Sequence, residues 1–216
     1  MSIKPILFNT EMVRAILDGR KSCTRRIVKP KQFVVLLPDK YKNCIPEESL
    51  KEKKLMFKPY CDMTDAELIS AAYKAPYQPG DILYVRETWK KAPNGYYYYE
   101  DWQKDDIADV TKWKPSIHMP KEATRIWLKV TDVRVERLQE ISEDGAVKEG
   151  IYVANCKDCN APFGCDACPD EGYNEIDEFV ELWNITVKKS DIDRYGWDAN
   201  PYVWVIEFER CEKPEE

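Results

Sequence analysis

Apolar residues recur along this chain in two rhythms, and the switches between them mark out its elements. Ile6, Leu7 and Phe8 form a short apolar run that predicts a strand. Met12, Val13, Ile16 and Leu17 then share one helical face, with Thr10 placed as N-cap and Gly19 as the left-handed residue that ends the helix. Ile82-Leu83-Tyr84-Val85-Arg86 predicts a core strand launched by the turn Gln78-Pro79-Gly80-Asp81 and running out at Glu87-Thr88-Trp89. Tyr96 to Tyr99, behind Asn94-Gly95, predict a strand entered through a hairpin turn. The longest β-like stretch runs from Arg125 to Leu138, with Ile126, Leu128, Val130, Val133 and Val135 setting its alternation. Ser142 then caps a short helix through Glu149, closed by Gly150, and an amphipathic helix covers Glu175 to Trp183. Tyr202, Trp204, Ile206 and Phe208 give a closing strand its period of two.

Residues 31–76 break this order. They are rich in lysine, glutamate and proline and read as an insertion, inside which Thr64-x-x-Glu67 is a capping box for a short helix through about Tyr73. Several strands with few helices between them predict a small antiparallel barrel or an α+β fold.

Length and composition narrow the class. A chain of 216 residues, 44% hydrophobic, is expected to form one domain over 1–216 with its own core. No stretch approaches the roughly 20 apolar residues of a membrane span, and the N-terminus lacks the apolar run of a signal peptide. A cytoplasmic protein with no membrane partner is therefore expected. The net charge of −6 argues against broad binding to duplex nucleic acid.

Against that acidic background, Gly19-Arg20-Lys21-Ser22-Cys23-Thr24-Arg25-Arg26 packs four cations into eight residues. Such a cluster reads either as a seat for phosphate or as a solvated basic turn whose first cations suit a helix C-terminus. Glu149 is the opposite anomaly, a carboxylate at the negative end of a helix dipole. Pro115-Ser116-Ile117-His118-Met119-Pro120 holds the only histidine. Cys156-x-x-Cys159 and Cys165-x-x-Cys168 can converge on one tetrahedral ion, so residues 152–174 read as a knuckle with a structural zinc, iron being the other thiolate-bound metal.

Taken together, Gly19-x-Lys21-x-x-Thr24-x-Arg26 resembles the signature of the ASCH domain, a relative of PUA-like RNA-binding β-barrels. Gly80-Asp81-x-Leu83-Tyr84-Val85-Arg86-Glu87-Thr88-Trp89, the Ser116–Pro120 loop and Tyr195-Gly196-Trp197-Asp198-Ala199-Asn200-Pro201 are similar to the longer ASCH proteins of phages and prophages. The resemblance implies an α+β, PUA-like small barrel with flanking helices and a cleft lined by the signature. It also implies that RNA or a modified nucleoside occupies the cleft, with Arg26 on phosphate and Trp89, His118 and Trp197 against the ligand.

One branch of that family removes the acetyl group of N(4)-acetylcytidine with a lysine, a threonine and a distant glutamate. Lys21, Thr24 and Glu149 match these. Binding of RNA or a nucleoside is the first expectation, amidohydrolysis the second, and a non-catalytic phage accessory or assembly role the third. As an exposed loop residue, Thr24 is expected to contribute little to the fold.

Overall fold

The computed structural model describes residues 2–29, 64, 67, 70, 73–102, 112–152 and 175–215. It is a mixed α/β structure built on a five-stranded sheet with a separate two-stranded hairpin. Strands β1 (Ile3–Leu7), β2 (Cys23–Ile27), β3 (Ile82–Arg86), β6 (Trp127–Arg137) and β7 (Tyr202–Cys211) lie in the order β1-β3-β6-β7-β2. β1 and β3 run parallel, and every other pair is antiparallel. β4 (Trp89–Ala92) and β5 (Gly95–Tyr98) form the hairpin. Helices α1 (Thr10–Leu17), α2 (Tyr99–Trp102), α3 (Glu143–Lys148), α4 (Glu175–Thr186) and α5 (Ile192–Tyr195) lie between the strands, with short 3-10 turns beside them.

Hydrogen bonds do not close this sheet into a barrel among the described residues. Its outer strands nevertheless approach each other through a side chain. Arg26 on β2 donates from Nη2 to the Leu7 carbonyl of β1 at 3.1 Å, and its guanidinium lies 5.5 Å from the Phe8 ring.

β7 explains why the sheet carries a core on each face. Trp204, Ile206 and Phe208 join Ile6, Val13, Ile16, Leu83, Val85 and Leu128 on the α1 side. Val203 and Val205, the residues between, pack with Leu138, Ile141, Phe179 and Trp183 under α3 and α4. The expected period of two thus describes one face only. A strand between two neighbours and two apolar layers carries apolar residues on both faces.

Local chemistry sets the ends. Asn9, not Thr10, caps α1, accepting the Met12 N–H at 2.8 Å. The turn before β3 forms as expected, with Gly80 at φ +86° and the Asp81 N–H donating to the Gln78 carbonyl at 3.0 Å. Asp81 then accepts from the Ser2 backbone and hydroxyl, from Lys4 Nζ and from the Gln78 N–H, fastening β1 to β3. Thr64 and Glu67 exchange capping-box bonds at 2.8 and 3.3 Å, while most of 31–76 lies outside the described residues. Trp89 opens the hairpin rather than closing β3. Among the described residues no helix is long and apolar enough to cross a membrane.

Candidate functional site

The signature begins where α1 ends. Gly19 adopts φ +75°, and the Arg20 and Lys21 N–H groups both donate to the Ala15 carbonyl, so the chain leaves the helix in one fixed direction. Ser22 is clamped next, donating to the Lys148 carbonyl and accepting from the Phe208 N–H, each at 2.9 Å. Cys23 to Ile27 then pair with Glu207 to Val203 as strand β2. The basic cluster is therefore neither a solvated turn nor an exposed loop. Lys21, Thr24 and Arg25 are all buried, Thr24 to 1% exposure.

The other half of the site is the end of α3. Ser142 caps that helix through the Gly145 N–H at 3.1 Å, and Glu149 is its C-cap. Gly150 follows at φ +93°, where a Cβ would stand 2.7 Å from Ala15 Cβ and 3.1 Å from Lys21 Cβ. Only a glycine lets the end of α3 sit so close to the signature.

That close approach brings Glu149 onto Lys21. Lys21 Nζ donates to Glu149 Oε2 and to the Glu149 carbonyl, each at 2.7 Å, with its side chain at 0% exposure. One ammonium thus neutralises the carboxylate and satisfies a terminal carbonyl of the helix, which resolves the dipole anomaly. Burial pushes the Lys21 amine below its ordinary range, against the pull of Glu149 in the other direction. Arg25 Nη1 reaches the second carboxylate oxygen, Oε1, at 3.3 Å. Burial also pushes the Cys23 thiol up to about 12, which keeps it protonated.

Two cavities meet at Glu149. The inner one, about 50 Å³, is lined by Thr24, Arg25, Arg26 and Glu149 with Phe179 and Trp183 among its apolar walls. The outer one, about 540 Å³, runs past Asn9, Glu11, Arg14, Arg20, Glu178 and Tyr152. Met12, Glu149 and Leu182 border both. Among the described residues the Thr24 hydroxyl takes part in no hydrogen bond, so its oxygen is available to whatever enters the inner cavity.

The aromatic and histidine positions are elsewhere. Trp89 is buried in the hairpin against Met119 and Ala123, with Tyr96 at 5.8 Å. His118 is exposed on a 3-10 turn held to β3 by Arg86, whose guanidinium donates to the Ile117 and Met119 carbonyls. Trp197 is half-buried behind Phe179 at 6.4 Å. None of the three lines either of these two cavities. Arg26 does line the inner one. Arg25, Met12, Phe179 and Leu182 were not marked by the motif. Nothing in the sequence set Arg25 apart from the other cations of the cluster.

Cys156, Cys159, Cys165 and Cys168 lie outside the described residues. Among the residues described, no group of three or more His, Cys, Asp or Glu side chains could hold a metal. Comparison with protein-family models, with curated proteins and with solved structures gives no match for this chain.

Proposed function

We propose that this chain has a PUA-like core whose cleft takes an acylated nucleoside and hydrolyses its amide, as the resemblance to the N(4)-acetylcytidine amidohydrolases implies. One observation carries the reading. Lys21 and Glu149, 128 positions apart, are in direct contact, and Thr24 shares a cavity with Glu149.

In this reading Thr24 Oγ1 attacks the acetyl carbonyl carbon while Lys21 Nζ, neutral at that moment, takes the hydroxyl proton. Collapse of the tetrahedral intermediate breaks the C–N bond, and the proton passes from Lys21 to the departing amine. Water then cleaves the Thr24 ester, releasing acetate and restoring the hydroxyl. Desolvation favours the neutral amine, and Glu149 stabilises the ammonium once formed. An inner cavity of about 50 Å³ compares with ~30 Å³ for one water in the liquid. In this reading the inner cavity takes the acyl group, while the outer groove takes the nucleoside body.

The test is release of cytidine and acetate from N(4)-acetylcytidine. Turnover by the wild-type chain, lost in Thr24→Val, is expected. No more cytidine than in buffer would leave nucleoside or RNA binding as the reading, since Lys21 already spends two of its three N–H donors on Glu149.

A further inference from the structure

Arg25 carries an inference that deepens the proposed hydrolysis and rests on it. Its side chain is 3% exposed and forms the wall between the inner cavity and a second one of about 100 Å³ lined by Arg134, Glu136, Asp144, Lys148 and Glu207. On one side Nη1 holds Glu149 Oε1 at 3.3 Å; on the other Nη2 reaches Glu136 Oε2 at 3.4 Å. The guanidinium lies 5.9 Å from the Phe179 ring, and its Nε is buried with no hydrogen-bond partner. An orphaned buried donor is costly and calls for a reason. Gly145 supplies part of the room, because a Cβ there would stand 3.2 Å from Arg25 Nη2.

We propose that Arg25 is a positioning residue for the Lys21–Glu149 pair, holding one carboxylate oxygen so that only the other faces Lys21 Nζ. Dividing the charge of Glu149 between two cations weakens its hold on the lysine proton. The other charged and titratable groups near the pair are Arg26 and Cys23 of β2, and Glu11, Arg14, Asp18, Arg20, Tyr152 and Glu178 along the outer groove that Glu149 borders. Among the described residues Lys21 and Arg25 are the groups that hydrogen-bond the Glu149 carboxylate. Without Arg25 the carboxylate turns wholly to Lys21, which then keeps its proton to higher pH.

The experiment follows the Lys21 13Cε resonance against pH in the full chain, without substrate, for wild type, Arg25→Met and Gly145→Ala. Gly145→Ala sets a Cβ 3.2 Å from Arg25 Nη2 and 3.1 Å from Ile141 Cγ1, nudging the guanidinium without replacing Lys21, Thr24 or Glu149, and so serves if Arg25→Met does not fold. The expected result is an upward move of at least about half a pH unit in Arg25→Met, roughly a threefold change in neutral fraction, and a smaller one in Gly145→Ala. Where wild type turns over, the acid limb of kcat moves up with it while the high-pH plateau stays within about threefold. A Lys21 profile unmoved in both variants, with only the melting temperature lowered, overturns the proposal and makes Arg25 structural. Wild-type protein that hydrolyses nothing while the Lys21 profile still shifts would defeat the reaction but not the positioning.

Discussion

Two buried carboxylates in this molecule each sit against an arginine, and their surroundings differ in what is left over. Glu87 is 2% exposed, and Arg125 grips both its oxygens, Nε to Oε1 at 2.9 Å and Nη2 to Oε2 at 2.8 Å. The remaining guanidinium nitrogen of Arg125 bonds Asp101 at 2.7 Å, and its plane lies 4.1 Å from the Tyr98 ring. Fork meets fork, and each guanidinium nitrogen is bonded. Glu149 is instead shared, one oxygen to Lys21 and one to Arg25, beside a cavity, an unbonded threonine hydroxyl and an orphaned Nε. The first pair is a closed lock, whereas Glu149 keeps open space beside it.

The largest effect should come from breaking the second cluster outright. Glu149→Ala leaves the Lys21 ammonium and Arg25 without their buried partner, and denaturant unfolding should report a loss of about 3–5 kcal/mol. A loss under ~1 kcal/mol would mean that water already reaches the pair. Breaking the lock comes next: Arg125→Met strips Glu87 of its bidentate partner and should cost about 2–4 kcal/mol, while turnover measured well below the melting point stays unchanged. A selective loss of turnover there would erase the distinction between the clusters. The smallest stability effect belongs to Thr24→Val, which keeps the shape and the β-branch and should change stability by about 1 kcal/mol or less despite the burial of the residue. Thr24→Ala should cost more, because it empties volume in a packed strand.

Much of this architecture was readable, and the unreadable parts share a cause. The turn at Gly80, the cap at Ser142 and the anomaly of Glu149 are all local signals, decided within a few residues. Strand β2 was hidden because Thr24-Arg25-Arg26 lacks an apolar rhythm, and its partner β7 lies some 180 positions downstream. Asn9 took the cap from Thr10 because either side chain fits that role and only the path of the preceding strand chooses between them. Trp89 shows a different limit. A tryptophan beside a tyrosine run reads equally as a stacking platform or as the core of a hairpin, and here it fills the hairpin. Arg25 fell between two motif residues, and the room its guanidinium takes beside Gly145 depends on a helix some 120 positions downstream.

The clamp on Ser22 and the pairing of β2 with β7 also bear on how the chain comes off the ribosome. Thr24 finds its ladder partner Ile206, and Ser22 receives the Phe208 N–H, only after nearly the whole chain has been made. At about 5–20 residues per second, β2 waits on the order of ten to forty seconds for its neighbour. During that interval the signature is an unpaired edge with its cations in water, holding neither the buried lysine nor the threonine cavity. Synthesis halted before Tyr202 yields a chain with every catalytic side chain of the proposed site and no site.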